Sequence, residues 1–311
     1  MNTYEILDAF KKAIQDTGSQ PPEHINADGK LHRFHISGQK QDTKNGAYFL
    51  HTDGKPNGYF EDFATGIKLK WKADGNAKPA SQAEREDFAA KKVQAEQQQI
   101  QKYEQAAITA QRLLDTAKPL TNSEQHPYLI KKRVKPYGVY RLKTWHKRIK
   151  NEAGQWVSLD IHNVLLIPLI DLYGKLWNVQ AIFSEAHPAL GRDKDFLPGG
   201  RLGGLFHAIG QATNDEIIIT EGFATGASLH EATGFQVLCA MSAGNLLSVA
   251  QAVRAADPKK KIVLAADNDD KKPGNPGVTA AKKAARAVGG FCCVPPVSGD
   301  FNDYANQGGG Q

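Results

Sequence analysis

The chain has 311 residues, enough for one large domain or two modest ones, with ample apolar material for a core. A formal net charge of +6 is compatible with a polyanionic partner, although an excess of lysine also serves solubility. The three cysteines lack the spacing of a structural zinc site and, being odd in number, give no disulfide framework. No apolar run is long enough to span a membrane, and the first residues do not resemble a signal peptide. We therefore expect a cytoplasmic protein without a membrane partner.

The first predicted elements form a small module over residues 1–78. It begins with an amphipathic helix, and its part from about residue 30 to 75 is rich in glycine, aspartate and aromatic residues that alternate as in β-strands. In the stretch IKLKWK the apolar side chains fall on one face of a strand, and Lys68, Lys70 and Lys72 fall on the other. We therefore predict a β-rich module with hairpin turns.

Residues 79–118 are predicted to form a helical linker. From Ser81 onward this segment consists mainly of alanine, glutamine, glutamate and lysine, with no glycine or proline up to residue 117. Ser81, with Glu84 three residues later, fits the start of a helix. We interpret the helix as a polar spacer, and a coil that binds a partner is the alternative.

Residues 119–212 are predicted to form a basic α+β subdomain. The segment 131–150 contains nine lysines or arginines and no acid, with Tyr137, Tyr140 and Trp145 interleaved. Cations that follow phosphates and rings that stack on bases are typical of proteins that bind single-stranded nucleic acid. The alternative is a solvated surface hairpin whose aromatic residues are packed. The side chains that we expect to contact a template are Lys131, Lys132, Arg133, Lys135, Arg141 and Lys143.

The region 213–311 alternates between apolar and helical segments. The stretches EIIIT, QVLCAM, IVLAAD and FCCVPPV have the pattern of buried strands, and helical patterns separate them. Continuous apolar strands that alternate with helices predict an α/β fold, with a mostly parallel sheet covered by helices on both faces. Just upstream, NVLLIPLIDLYG and LWNVQAIF are predicted to form a β-hairpin.

Acidic residues follow three of these predicted strands. Glu221 comes after EIIIT, Asp267 and Asp269 follow IVLAA, and Asp300 and Asp303 follow the last strand. Active residues gather at the carboxyl ends of parallel strands, and several carboxylates at one edge repel each other unless a cation lies among them. Oxygen ligands suit Mg²⁺ or Mn²⁺, which leave positions open for phosphate oxygens. Acids in loops at strand ends are also common in α/β proteins that bind no metal.

The spacing of these acids carries a family resemblance. A strand that ends in Glu221-Gly222, followed after one βαβα interval by a strand that ends in Asp267-Asn268-Asp269, resembles the Toprim domain of bacterial (DnaG-type) primases, topoisomerases and certain nucleases. The stretches SAGNL, NPGVTAAKKAA and DFND extend this resemblance to the Toprim primases of plasmids, phages and integrative elements. The resemblance implies a Rossmann-like sheet and covers most of the chain except the long helix.

The resemblance also implies roles for individual residues. Asp267 and Asp269 would hold Mg²⁺ or Mn²⁺, while Glu221 either completes the metal shell or assists deprotonation of the attacking 3′-hydroxyl. Asp300 and Asp303 are candidates to bind a further ion or to orient the site. The stretch KDFLPGGRLGGLFHAIG resembles the basic loop that precedes the Toprim domain in primases. We therefore expect nucleotide or template contacts from Lys194, Arg201 and Asn245.

One departure from the family concerns zinc. Bacterial primases usually carry an N-terminal zinc-binding domain, whereas residues 1–78 contain no cysteine and only scattered histidines, so no zinc is predicted. Template selection must then depend on something else, for which the face of Lys68, Lys70 and Lys72 is a hypothesis.

The predicted function is that of a DNA primase. It synthesises short RNA primers on single-stranded DNA by metal-dependent nucleotidyl transfer, for plasmid, phage or mobile-element replication. Its expected partners are the single-stranded template, ribonucleoside triphosphates and a separate replicative helicase. The alternatives are a Toprim-type metal-dependent nuclease, which uses the same acids with water as nucleophile, and a non-catalytic accessory protein that binds single-stranded nucleic acid.

Overall fold

A computed structural model describes residues 1–38, 44–73, 82–124, 126–151, 154–212 and 215–308. The chain divides into two compact units, Met1–Ala90 and Lys91–Gln311. The division into four segments that the sequence suggests stays a prediction. Ser81, the predicted start of the long helix, lies outside the described residues, as does the side chain of Glu84.

The first unit contains a helix that packs on a four-stranded antiparallel sheet. The helix, α1 (Thr3–Gln15), starts at a capping box made by Asn2 and Glu5. Its apolar stripe packs on one face of the sheet, where Phe10 and Phe60 are fully buried. The strands, in their order across the sheet, are β1 (His32–Phe34), β2 (Gly46–His51), β3 (Asn57–Asp62) and β4 (Ile67–Lys72). The β4 lysines are exposed and its apolar residues face the core, as the alternation predicts.

The long helix α2 (Gln82–Thr116) packs on the second unit over its C-terminal half. Ala110 is fully buried, and Leu113 packs beside it against the core of an antiparallel sheet. On the same stretch, a carboxylate oxygen of Glu104 lies 2.7 Å from Nζ of Lys175. A polar spacer would not bury residues in this way, so this half of the helix is a structural part of the second unit. None of the helices in the described ranges is long and apolar enough to cross a membrane.

The antiparallel sheet of the second unit contains the predicted hairpin. Its five strands, in their order across the sheet, are β5 (Lys118–Pro119), β6 (Tyr140–Lys150), β7 (Trp156–Ile170), β8 (Leu176–His187) and β9 (Arg192–Phe196). The predicted hairpin corresponds to β7 and β8, and both strands are longer than their apolar stretches indicated. A short helix, α3 (Pro127–Lys132), precedes β6 and carries the first lysines of the basic segment.

A mostly parallel sheet forms the rest of the second unit, and the predicted fold class is confirmed. Its strands are β10 (His207–Ile209), β11 (Glu216–Thr220), β12 (Gln236–Cys239), β13 (Lys261–Ala265) and β14 (Phe291–Cys293). They lie in the order β10-β12-β11-β13-β14, and every neighbouring pair is parallel except β10 with β12. The antiparallel edge strand β10 was not predicted, because three residues are too few to show a pattern.

Helices cover both faces of this sheet. They are α4 (Phe223–Thr233), α5 (Leu246–Ala256), α6 (Pro276–Val288) and α7 (Phe301–Asn306). Ile218 of β11 packs in a core cluster with Phe223 of α4, whereas Ile217 and Ile219 pack in the cluster that contains residues of α5 and α6. Both faces of β11 are therefore buried, which explains its uninterrupted apolar run.

Close packing of α4 on the sheet provides a test of this architecture. A Cβ added at Gly226 would collide with Sγ of Cys239 on β12. We expect Gly226→Ala to lower the free energy of unfolding by about 1–3 kcal/mol, because the helix must move away from the strand. Denaturant unfolding measures the change. Gly244→Ala is the matched control, because a Cβ there meets nothing within 4 Å, and equal effects of the two substitutions would contradict the packing.

Candidate functional site

Carboxylates from three loops lie together at the carboxyl edge of the parallel sheet. Glu221 follows β11, Asp267 and Asp269 follow β13, and Asp300 precedes α7. Glu221, Asp300 and Asp269 are near enough to Asp267 that the charge of each raises its pKa. The structure thus brings four of the five predicted acids together, as expected for the ends of neighbouring parallel strands.

Asp267 is the most strongly perturbed acid of this group. Burial, followed by the charges of Glu221, Asp300 and Asp269, raises its pKa to about 7, although Lys194 acts in the opposite direction. Its Oδ1 atom is buried and has no hydrogen-bond partner among the described residues. A buried carboxylate oxygen without a donor is costly unless it is protonated or binds a cation. This atom is therefore the strongest local indication of a cation site.

Glu221 shares the same environment. Burial is the main cause that raises its pKa, and the charge of Asp269 adds to the effect. A hydrogen bond from the backbone at Ala243 and the charges of Lys194 and Lys272 lower it again. The remaining excess of negative charge favours either protonation or a bound cation at this edge.

Asp269 is held by a lysine and an asparagine that the sequence analysis missed. Nζ of Lys272 lies 2.9 Å from Oδ1 of Asp269, and this hydrogen bond is the main cause that raises the pKa of the lysine. The backbone N–H of Asp269 donates to Oδ1 of Asn275 at 2.9 Å. Both partners lie in the loop between β13 and α6. Asn275 opens the stretch NPGVTAAKKAA, so the resemblance indicated its position although not its role, whereas only closeness to the acids could have indicated Lys272.

Asn268, between the two aspartates, joins two loops of the site. Its backbone N–H donates to the Gly299 oxygen at 2.7 Å, and its Nδ2 donates to the Val297 oxygen at 3.0 Å. Its Oδ1 accepts a bond of 2.8 Å from Nδ2 of Asn275. The loop that carries Asp267 is thereby fixed to the loop that leads to Asp300.

Asp300 and Asp303 form a reciprocal capping box at the start of α7. Asp300 accepts hydrogen bonds from the backbone N–H groups of Asn302, at 2.7 Å, and Asp303, at 2.9 Å. Asp303 in turn accepts from the Asp300 backbone at 3.1 Å, and its other oxygen lies 3.6 Å from Nζ of Lys132. These bonds give both acids a structural role. Asp300 still lies near Asp267, whereas a ligand role of Asp303 stays a prediction.

Asn302 connects α7 to two other helices. It is buried, and its Nδ2 donates to the backbone oxygen of Lys132 at 2.7 Å and to Oγ of Ser228 at 2.9 Å. Lys132 ends α3, and Ser228 lies in α4. The end of the helix that carries the first predicted template contacts is therefore tied to the helix that Asp300 caps.

Of the residues predicted to bind nucleotide, Lys194 lies near the acids and Arg201 is held by other contacts. Lys194 is exposed on β9 and lies near the acids, since its charge lowers the pKa of Asp267 and of Glu221. The guanidinium of Arg201 lies 5.2 Å from the centre of the Trp177 ring, and its Nε donates to the Gly203 oxygen at 3.1 Å. Arg201 is thus held near Trp177 by contacts that do not include the acids.

Asn245 is a buried anchor. Its Nδ2 donates to the backbone oxygens of Leu205 and Ala240, at 2.8 and 2.9 Å, and its Oδ1 accepts from the Gly204 N–H at 2.8 Å. Only 8% of the residue is exposed. The geometry therefore favours a role in holding the loop at residues 203–205 rather than a direct contact with a nucleotide.

The aromatic residues of the basic segment do not form a stacking surface. Trp145 is 2% exposed and belongs to the core under the antiparallel sheet, where Tyr140 packs beside it. The hydroxyl of Tyr137 donates to Glu231 at 3.1 Å. Burial of the ring thus excludes a stacking role for Trp145, whereas nucleic-acid binding by the rest of the basic segment stays a prediction. The exposed cations of the predicted template set are Lys131, Arg133, Lys135 and Lys143.

An exposed ring does occur just beyond this segment. Trp156 is 59% exposed at the start of β7. The cationic groups of Arg148 and Lys150 lie 5.6 and 5.4 Å from its ring centre. Trp156 was not predicted from the sequence, because its ring comes next to these cations only through the pairing of β6 with β7.

The acidic group does not form a closed metal cage. In the ranges that the structure describes, no three His, Cys, Asp or Glu side chains are placed so that they could hold an ion together. The buried, unpartnered oxygen of Asp267 and the mutual repulsion of its neighbours nevertheless fit a divalent cation.

Comparison with known proteins supports the fold class. Residues 216–311 match the family model for the Toprim domain. This part of the chain is therefore a Toprim domain, and proteins with such domains generally use divalent metal ions. The region contains all five predicted acids and the parallel strands that position them.

The whole chain resembles curated proteins named DNA primase TraC from Escherichia coli. One is 34% identical over 314 residues, which cover 96% of this chain and 27% of the relative. Another is 31% identical over 311 residues, with 96% and 20% covered. The chain therefore spans about a quarter or less of the length of these relatives. The resemblance to plasmid-type primases that the motifs indicated is confirmed.

A solved structure of the Aquifex aeolicus primase, with its zinc-binding and RNA polymerase domains, is also similar. It has a TM-score of 0.46 and 16% sequence identity, and the match covers 99% of this chain and 83% of that chain.

The raised pKa of Asp267 predicts a pH-dependent stability. An aspartate in an unfolded chain has a pKa of about 3.9, whereas Asp267 in the folded protein has one of about 7. Its contribution to stability is thus complete below about pH 4 and is lost as the pH rises through 7. Without divalent metal, we expect Asp267→Asn to be more stable than the wild type at pH 8, by on the order of a few kcal/mol, and not at pH 4.

Thermal denaturation across this pH range measures the difference. Asp270→Asn is the control, because Asp270 is exposed and accepts a hydrogen bond from Ser298 away from the acidic group. Parallel stability profiles of the wild type and Asp267→Asn would show that Asp267 is not perturbed.

Proposed function

We propose that the chain acts as a DNA primase that synthesises short RNA primers on single-stranded DNA by metal-dependent nucleotidyl transfer. The observation that supports it most is the buried, unpartnered Oδ1 of Asp267 among Glu221, Asp269 and Asp300. These acids lie at the carboxyl edge of a Toprim sheet, in a chain whose curated relatives are named primases. The proposal extends to replication of a plasmid, phage or other mobile element.

Asp267 and Asp269 are the proposed ligands of Mg²⁺ or Mn²⁺, because both are carboxylates at the end of β13 and one of them has an oxygen without a donor. When bound there, the ion neutralises the charge that develops on the phosphates of the incoming nucleotide. Lys272 already holds Asp269 in place, so that one ligand is oriented before a substrate arrives. Asp300 restrains the site from the neighbouring loop, and Asp303 is retained as a candidate ligand of a further ion.

Glu221 has two candidate roles at this site. Its raised pKa suits a group that takes the proton of the attacking 3′-hydroxyl at neutral pH. The same position also allows its carboxylate to complete the shell of the ion. In both roles, burial keeps bulk water away from the carboxylate and so strengthens its electrostatic effect.

The proposed substrates are a single-stranded DNA template and ribonucleoside triphosphates. Lys194, near the acids, is placed to bind the triphosphate, with Arg201 and the loop that Asn245 anchors further away. Template phosphates would lie along the exposed cations of the basic segment, Lys131, Arg133, Lys135 and Lys143, with Lys132 and Arg141 beside them. A separate replicative helicase and a cytoplasmic location complete the proposal.

Primer synthesis by single variants tests the proposed chemistry. We expect Asp267→Asn and Asp269→Asn to reduce the yield of template-dependent oligoribonucleotides at least about 100-fold, because each removes a charged ligand of the cation that would neutralise the phosphates. The assay contains single-stranded circular DNA, labelled ribonucleotides and Mg²⁺ or Mn²⁺. Products are resolved on a denaturing gel.

Asp270→Asn is the control in this assay, since it removes an acid from the same stretch but outside the site. Shortened DNA without new oligomers would identify a nuclease instead. Full activity of both site variants would reject the proposed acids.

Metal binding is tested without reference to activity. At pH 8, we expect Mg²⁺ or Mn²⁺ to raise the melting temperature of the wild type, because a ligand that binds only the folded state stabilises it. At a concentration of about 100 Kd the gain is about 2.7 kcal/mol. Asp267→Asn should show little of this effect, and Asp270→Asn should show all of it. Equal stabilisation of the three proteins would place the ion elsewhere.

A further inference from the structure

The sheet of the first unit has one face that α1 does not cover. Side chains alternate along its strands, so those between the core residues project from the opposite face. We call this surface the outer sheet face. Its principal side chains are Arg33, Phe49, His51, Tyr59, Glu61, Lys68, Lys70 and Lys72, which lie between residues of the core cluster.

Two aromatic rings form a pair near the centre of the outer sheet face. Phe49 on β2 lies directly opposite Tyr59 on β3, and Lys70 on β4 is the next residue across the sheet. The two ring centres are 5.8 Å apart and their planes differ by 20°. The ring of His51 lies 5.6 Å from that of Phe49. All three rings retain solvent exposure, and none belongs to the core cluster under α1.

Cations surround this aromatic pair. The three β4 lysines are exposed, and they follow one another at intervals of about 7 Å, because alternate residues of a strand share a face. Arg33 is also exposed and lies 4.1 Å from the centre of the Phe63 ring. The strands thus supply four cations to the outer sheet face.

The acid on this face is already neutralised. Glu61 accepts a hydrogen bond of 2.6 Å from the Tyr59 hydroxyl and lies 2.9 Å from Nζ of Lys68. Glu61 is the only acidic strand residue on the outer sheet face, all of whose strand positions are described. Opposite charges that face each other across strands stabilise a sheet, whereas like charges directly opposite destabilise it. Here four cations and a ring pair stand against one paired acid, which favours a polyanion with flat apolar groups.

We propose that the outer sheet face binds single-stranded nucleic acid, with bases on the Phe49–Tyr59 pair and phosphates along Lys68, Lys70 and Lys72. Unpaired bases expose faces that stack on aromatic rings, whereas the bases of a duplex do not. The inference deepens the proposed function and rests on it for the identity of the ligand as template. Binding itself requires neither the Toprim acids nor a metal ion, because this surface lies in the first unit.

The test measures the affinity of the full chain for a fluorescent oligothymidylate as a function of salt, in EDTA and without nucleotides. We expect Lys70→Gln combined with Lys72→Gln to weaken binding several-fold. It should also reduce the slope of log K against log salt by about 1.4, since each lost phosphate contact on a single strand contributes about 0.7. The control is Lys11→Gln combined with Lys12→Gln on α1, which removes the same charge from the other side of the unit.

A second variant tests the rings separately from the charge. Phe49→Leu keeps an apolar side chain but removes the stacking surface, and we expect at least about fivefold weaker binding with an unchanged salt slope. Melting temperatures establish that each variant is folded. Because Lys70 and Lys72 are exposed, the double lysine variant remains informative even if Phe49→Leu unfolds.

Equal affinities of the double lysine variant and the α1 control would overturn the proposal. Tighter binding of the corresponding duplex than of the single strand would overturn its single-stranded ligand. Because the assay contains EDTA and no nucleotides, it does not depend on primer synthesis, and loss of binding in the lysine variant reports on the outer sheet face.

Discussion

The mutual repulsion of carboxylates at the edge of the parallel sheet is the constraint on which the second unit depends. Two like charges 4 Å apart repel by about 4 kcal/mol where the effective dielectric constant is 20, and burial adds to this cost. Burial first, and the charges of the neighbouring acids second, raise the pKa values of Asp267 and Glu221. A fold can hold such a group only if its backbone is fixed by other forces.

Those forces come from the two core layers on either side of the sheet. Ile217, Ile218 and Ile219 alternate between them, so that β11 is held from both faces up to Glu221. At the next strand, Gly277 allows the start of α6 to approach the backbone of Asp267 so closely that a Cβ would collide with its carbonyl oxygen. The acids are therefore attached to strands whose side chains are buried on both faces. The chain cannot relieve the repulsion between the acids by moving them apart, so a bound cation would relieve it instead.

Features of this arrangement that depend on neighbouring residues in the chain could be predicted from the sequence, and features that depend on contacts between distant segments could not. The parallel sheet and the convergence of its acids were predictable, because apolar strand patterns and strand-end acids are local signals whose geometry is fixed by the fold class. The residues that hold the acids in place were not predictable. Lys272, Asn268 and Asn275 act through hydrogen bonds between loops, and polar loop residues carry no periodic signal.

The stacking role expected for the aromatic residues of the basic segment was wrong for Trp145, because it too depends on contacts between distant segments. A ring in a basic segment can face solvent or the core, and Trp145 faces the core. By contrast, Phe49 and Tyr59 meet only through the register of β2 with β3, ten residues apart in the chain.

Asn302 fixes the position of α3 relative to the acids. Its amide bonds the end of α3 and the side of α4 at once, and it lies next to Asp300 at the start of α7. The distance between the lysines of α3 and the carboxylates is thus set by short, directional bonds instead of by a hinge. A polyanion bound to those lysines would therefore lie at a constant distance from the acids. A nucleic-acid strand could then move past the acids only if its phosphates exchanged contacts with the lysines at the same time.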